Sequence, residues 1–274
     1  MSADPRPIGV FDSGIGGLTI LRELLHTLPN ERFCYFGDDA HCPYGPRPEH
    51  EVIALALAAA RWLVAHDAKA LVVACNAASV SAREALRAAF PTIPIVVVVP
   101  AVKPAAALTK SGKVILAATA RAINDRFTHN LIDTFATDVE VISVACPSLV
   151  ELVEAGQLTG PVPEAALRGY LAPALASGAD VVVLACTHFP ALRQAVEQVV
   201  GSHVAVIDSG AAVARQTLHV VREHGLLAAA DAIAPDGNHV EFWTSGDPAR
   251  FAQVASLVLG QPITARHAMT NVEW

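Results

Sequence analysis

Two thiols open the question of chemistry. Cys75 ends the run Leu71-Val-Val-Ala-Cys75-Asn76, and Cys186 ends the parallel run Val182-Val-Leu-Ala-Cys186-Thr187. Each reads as a buried strand, then a cysteine, then a helix start. In open parallel sheets, ligands bind beyond the carboxyl ends of the strands. A helix start supplies N–H groups and a dipole that favour a thiolate. A thiol so placed can exchange a proton near neutral pH. A lone buried cysteine is ordinarily inert packing, but two at matching positions point to paired acid–base chemistry. Two further loops follow strands: Asp12-Ser13-Gly14-Ile15-Gly16-Gly17, leading into a helix at Leu18, and Pro43-Tyr44-Gly45. The glycines of the first let backbone N–H groups approach a carboxylate. It is neither GxGxxG nor GxxxxGK[ST], so it makes a poor nucleotide loop.

The elements that must hold these groups alternate along the chain. Strands are expected at 7–11, 32–36, 70–74, 93–99, 113–117, 139–144, 181–185, 204–207 and 241–244. Helices are expected at 17–28, 51–65, 79–90, 126–135, 147–155, 164–175, 190–200, 211–224 and 249–259. Near-continuous Val/Ile runs indicate strands covered on both faces, as in parallel sheets. A second echo pairs Val10-Phe-Asp-Ser-Gly14 with Val206-Ile-Asp-Ser-Gly210. The two echoes together predict an α/β protein of two pseudo-symmetric lobes, with mainly parallel sheets flanked by helices. The expected division is 1–99 plus 211–274 for the first lobe, with Cys75, and 100–210 for the second, with Cys186. The C-terminal strand and helix return to the first lobe, being too small to bury a core alone.

Composition narrows the functional classes. Of 274 residues, 53% are hydrophobic and 16% charged, which excludes a disordered chain. The net charge is −7, without a basic stripe, so no nucleic-acid partner is expected. The apolar stretch 52–65 is broken by Arg61 and is too short for a bilayer, and MSADPRPIGVFDSG lacks the pattern of a signal peptide, so a cytoplasmic protein without a membrane partner is expected. The five cysteines, Cys34, Cys42, Cys75, Cys146 and Cys186, are odd in number and widely spaced, arguing against a disulfide framework. None makes a CxxC pair. Cys34 and Cys42, with His41 beside the latter, read as a strand and a loop cysteine rather than metal ligands, so no metal is expected. Only Lys69, Lys103, Lys110 and Lys113 are available for a pyridoxal Schiff base, and none lies in a strand-end loop of this kind.

Five segments in order resemble the glutamate racemases, cofactor-independent enzymes of the aspartate/glutamate racemase family. They are Gly9-Val-Phe-Asp-Ser-Gly-Ile-Gly-Gly-Leu-Thr19, Tyr35-Phe-Gly-Asp38 through Pro43-Tyr44-Gly45, Val73-Ala-Cys-Asn76, Ala185-Cys-Thr-His-Phe-Pro190 and Val206-Ile-Asp-Ser-Gly210. The resemblance implies an active site in the cleft between two lobes, with Cys75 and Cys186 as the catalytic thiols on opposite faces of the substrate. It implies that Asp12 and His188 assist them, and that Ser13, Tyr44, Gly45, Asn76, Ala77, Thr119 and Thr187 hold the substrate, to which Asp12 and His188 also lie close. It places an assisting glutamate at Glu151 or Glu154, and it implies glutamate as the small-molecule substrate, no cofactor, a homodimer and a role in supplying D-glutamate for peptidoglycan. His41, beside the Tyr44 loop, is a candidate for a supporting contact. Two features depart from the family pattern: Ala77 stands where a threonine is usual, and in Ala118-Thr-Ala-Arg-Ala122, expected as a loop, Thr119 matches the first threonine of a Gly-Thr-x-Gly-Thr stretch while Arg121 and Ala122 replace its second glycine and second threonine. Racemisation of another acidic amino acid, amino-acid binding without chemistry, and thiol redox chemistry are the rival readings.

Overall fold

The computed structural model describes residues 3–229, 239–270 and 272. The chain divides into two compact units, Met1–Val98 with Gly210–Trp274, and Val99–Ser209.

The first unit is built on β1 (Ile8–Asp12), α1 (Leu18–Thr27), β2 (Phe33–Gly37), α2 (Glu49–Ala65), β3 (Ala70–Val73), α3 (Asn76–Ala89) and β4 (Ile95–Val97). The second contains α4 (Val102–Leu108), β5 (Lys113–Ala118), α5 (Ala120–Asn124), α6 (Arg126–Phe135), β6 (Glu140–Ala145), α7 (Pro147–Glu154), α8 (Pro161–Ala176), β7 (Val181–Leu184), α9 (Arg193–Val200) and β8 (Ala205–Asp208). The chain then re-enters the first unit with α10 (Gly210–Glu223), β9 (Val240–Thr244), α11 (Pro248–Leu259) and β10 (Arg266–His267).

Both sheets are parallel throughout, ordered β10-β9-β2-β1-β3-β4 in the first unit and β6-β5-β7-β8 in the second. β1, β2, β3 and β7 are buried along their whole length, which their unbroken apolar runs require. β9 pairs with β2 from Phe33↔Val240 to Gly37↔Thr244. Each fully buried Val, Leu or Ile in these layers contributes roughly 1.5–3 kcal/mol.

β4 is shorter than the expected 93–99. Pro94 has no N–H to enter the ladder, so pairing with β3 starts at Ile95. The expected helix 190–200 is split: a 3₁₀ turn over Phe189–Leu192 precedes α9, which starts at Arg193. The expected 118–122 loop is also corrected. β5 runs through Ala118, and Thr119 caps the short helix α5.

The two sheets share one pattern. In both, the strand carrying the cysteine lies beside a central strand, and the alanine before the cysteine donates its N–H to that neighbour: Ala74 to the Phe11 carbonyl and Ala185 to the Ala117 carbonyl, each at 2.8 Å. On the other flank, Asp38 N–H reaches the Asp12 carbonyl at 2.9 Å and Cys146 N–H reaches the Ala118 carbonyl at 3.0 Å. Thus Cys75 corresponds to Cys186, Asp12 to Ala118, and Asp38 to Cys146. The second echo does not follow this correspondence. Asp12 ends the central strand β1, whereas Asp208 ends the edge strand β8 and pairs through Leu184. Asp208 forms an ion pair with Arg193 at 2.5 Å, a role unlike that of Asp12.

Candidate active site

In the first unit the strand ends of β1 and β3 bring Asp12, Ser13 and Cys75 together. Cys75 is the N-cap residue of α3, and its carbonyl accepts the Ser79 N–H at 2.8 Å. The dipole of a 14-residue helix therefore begins at this thiol and favours its ionised form. The Cys75 Sγ donates to Ser13 Oγ at 3.6 Å, and Ser13 Oγ donates to Asp12 Oδ1 at 3.5 Å. The same carboxylate oxygen accepts the Gly14 N–H at 2.9 Å. Asp12 is wholly buried and Cys75 nearly so.

Gly17 makes this packing possible. A Cβ there would lie 2.6 Å from the Asp12 Cβ and 3.0 Å from the Ala74 Cβ. Tyr35 Oη, donating to the Gly14 carbonyl at 2.8 Å, braces the same loop.

Asn76 opens α3. Its side-chain Nδ2 is buried with no hydrogen-bond acceptor. A buried amide donor left in this state costs free energy unless a ligand atom completes it. Asn76 and Ala77 also occupy the first turn, where backbone N–H groups lack an intrahelical acceptor. Ala77 itself supplies no hydroxyl.

The Tyr44-Gly45 loop is held by a residue to which sequence reasoning gave no role, Asp38. Its carboxylate accepts Tyr44 Oη at 2.6 Å and Ser245 Oγ at 2.6 Å, and faces His41 Nδ1 at 2.8 Å. Burial, then the Asp38 charge and its hydrogen bond, with Cys75 and Asp12 adding to them, push the Tyr44 hydroxyl well above its ordinary pKa, so it stays a donor. His41 is shifted upward chiefly by its hydrogen bond to Asp38. The available signal was that Asp38, like Asp12, is a carboxylate just past a strand end.

In the second unit the thiol has other company. Cys186 Sγ lies 3.9 Å from His188 Nδ1, and His188 Nε2 lies 2.6 Å from Glu154 Oε1. This geometry selects Glu154 of the two candidate glutamates; Glu151 points to solvent. The expectation that Cys186 directly precedes an α-helix is corrected. Thr187, His188 and the 3₁₀ turn intervene, so the helix-dipole argument belongs to Cys75 alone. Thr187 is buried beside Cys186. Thr119, expected on the substrate, uses its Oγ1 to accept the Ala122 N–H at 3.3 Å.

The remaining cysteines are of another kind. Burial pushes the thiols of Cys34 and Cys146 up to about 12, with Cys186 adding to the shift of Cys146. Both therefore stay protonated at neutral pH.

Each site can hold and move a proton at sulfur: Cys75 through a hydroxyl to a carboxylate, Cys186 through an imidazole to a carboxylate. A family profile described as Asp/Glu/Hydantoin racemase matches residues 18–217. The chain is 45% identical over 249 residues to a glutamate racemase of Roseiflexus sp. strain RS-1, spanning 91% of this chain and 90% of that protein. It is 42% identical over 263 residues to one of Pseudomonas aeruginosa strain PAO1, spanning 96% and 97%. Among solved structures it is similar to glutamate racemase from Francisella tularensis in complex with D-glutamate, with TM-score 0.84, 28% identity and coverage of 98% and 99%. It is equally similar to the Escherichia coli glutamate racemase in complex with L-glutamate and the activator UDP-MurNAc-Ala, with TM-score 0.84, 34% identity and coverage of 97% and 99%.

Proposed function

The chain belongs to the Asp/Glu/hydantoin racemase family, and from that premise we propose that it is a glutamate racemase, an isomerase interconverting L- and D-glutamate with Cys75 and Cys186 as acid and base. The observation that carries the reading is the pair of thiols at corresponding strand ends, each with a hydrogen-bonded chain leading to a carboxylate.

One sulfur, as thiolate, takes the Cα proton and becomes a thiol. The other, as thiol, gives its proton to the opposite face of Cα and becomes a thiolate. Atoms and charge balance, and the enzyme ends in the mirror protonation state. The reverse reaction exchanges the roles. Asp12, through Ser13, and Glu154, through His188, orient the proton at their own sulfur by hydrogen bonding. The developing negative charge on the α-carboxylate needs donors already in place. Asn76 Nδ2 and the first turn of α3 supply them, and Tyr44 offers a hydroxyl that stays protonated. Ser13, Gly45, Ala77, Thr119 and Thr187 complete the proposed substrate contacts. Proton transfer between two thiols asks nothing of a cofactor.

In this reading the protein supplies D-glutamate for peptidoglycan and works in the cytoplasm as a homodimer. Among the described residues no helix is long and apolar enough to cross a membrane.

Incubation with either enantiomer in D₂O tests the assignment. Deuterium should enter at Cα of both, with circular dichroism decaying to zero, and aspartate should turn over far more slowly. Glutamate bound without Cα exchange would overturn it.

A further inference from the structure

A serine far along the chain touches the same loop as Tyr44. β9 lies beside β2, and just past its end the Ser245 N–H donates to the Gly37 carbonyl at 3.1 Å. This seats Ser245 at the mouth of the 38–45 loop. Its Oγ donates to Asp38 Oδ1 at 2.6 Å and accepts the Ala40 N–H at 3.1 Å. The other Asp38 oxygen receives Tyr44 Oη at 2.6 Å. One hydroxyl therefore orients the carboxylate that orients Tyr44, and also pins the backbone of the loop. The following residue must be small for this to happen: a Cβ on Gly246 would lie 3.0 Å from the Asp39 Cβ. The Gly246 N–H turns back onto Thr244 Oγ1 at 3.1 Å, fixing the bend that presents Ser245.

We infer that Ser245 is a positioning residue for the racemisation, acting through Asp38 and the 38–45 loop on Tyr44. The inference rests on the functional reading above, in which Tyr44 contacts substrate. It makes substrate grip depend on the C-terminal strand β9, which joins the sheet only after the whole second unit has been traversed.

The test compares the nearly isosteric pair S245V and S245T with S245A. Circular dichroism follows turnover of both enantiomers, and thermal unfolding is run in parallel. S245V and S245A should lower kcat/KM about tenfold, the loss expected for one hydrogen bond to a charged group. Most of it should appear as a raised KM, and S245T should recover most of it. A role in stability alone would lower Tm and leave KM unchanged well below Tm. In the wild-type protein the Ala40 amide should be protected from hydrogen exchange, and that protection should vanish in S245A. An active wild type whose S245V and S245A variants keep KM within about twofold, or whose Ala40 amide exchanges freely, overturns this inference alone. A wild-type protein that leaves glutamate unchanged overturns the functional reading, and this inference falls with it.

Discussion

Cys75 and Cys186 hold corresponding seats in two parallel sheets, yet their neighbours differ at every corresponding position. Beside Cys75 the central strand ends in Asp12 and the flanking strand leads to Asp38. Beside Cys186 those positions are Ala118 and Cys146, neither of which carries charge at neutral pH. The first unit draws its carboxylate from the sheet and adds a helix dipole. The second draws an imidazole from the turn after the cysteine and a carboxylate from the end of α7. A common backbone thus sets where a sulfur sits, while side chains from different elements set how its proton is handled. Unlike environments suit a reaction in which one sulfur must be ionised while the other is protonated.

Replacing the sulfurs breaks the comparison most severely. Cys75→Ser and Cys186→Ser should each lower racemisation by about 10²–10⁴-fold, the range for loss of a general acid or base. Proton exchange at Cα without inversion, followed by NMR in D₂O, should persist for opposite enantiomers in the two variants. Normal racemisation by both would refute the assignment.

The assisting groups sharpen it. His188→Asn and Asp12→Asn should each cost about 10²-fold in kcat, since each removes the ionisable partner of one thiol. Glu154→Gln acts through His188 and should cost only about tenfold. Because the two sides serve opposite protonation states, the His188 and Asp12 variants should shift opposite limbs of the pH–rate profile. Identical profiles would mean that the two sites are not chemically distinct.

Much of this was legible in the residues. Buried Val/Ile runs located the strands, and a cysteine after each of two such runs located the thiols. What stayed hidden depended on spacing in three dimensions. Glu151 and Glu154 lie one turn apart on α7, and only the fold shows which meets His188. The role of Asp38 is defined partly by Ser245, which lies 207 residues away in sequence. The 3₁₀ turn after Cys186 and the five-residue α5 are too short for periodicity to register. The repeated Asp-Ser-Gly does not mark corresponding seats, because the strand it ends differs in rank within its sheet.

Stability offers a parallel contrast. In the first unit Lys69 is fully buried, 2.5 Å from Glu31, and also donates to the Asp4 carbonyl. In the second, Arg193 and Asp208 form a pair that is only partly buried, with side chains 34% and 22% exposed. Lys69→Met leaves the Glu31 carboxylate buried without its cation and should cost about 3–5 kcal/mol in urea unfolding. Arg193→Met should cost about 1 kcal/mol or less. Similar losses would mean that burial does not separate the two pairs.

The smallest expected effect concerns the other imidazole–carboxylate pair. His188 sits between its carboxylate and a sulfur, whereas His41 lies on the outer side of Asp38, with 28% of its side chain exposed. The hydrogen bond to Asp38 raises the His41 pKa above its ordinary 6.5. A raised folded-state pKa means that the folded state holds the proton more tightly than the unfolded chain does. The stabilisation is therefore fully present below about pH 6.5 and disappears as pH rises through the folded value. Solvent screening keeps it below about 1 kcal/mol. Urea unfolding of wild type and His41→Gln should differ most below about pH 6.5 and converge as the pH rises through the folded-state value. The His41 ring resonance should titrate above 6.5 in the wild type and lower in Asp38→Asn. A difference that grows with pH would reverse the sign and place the proton of this pair on the wrong partner.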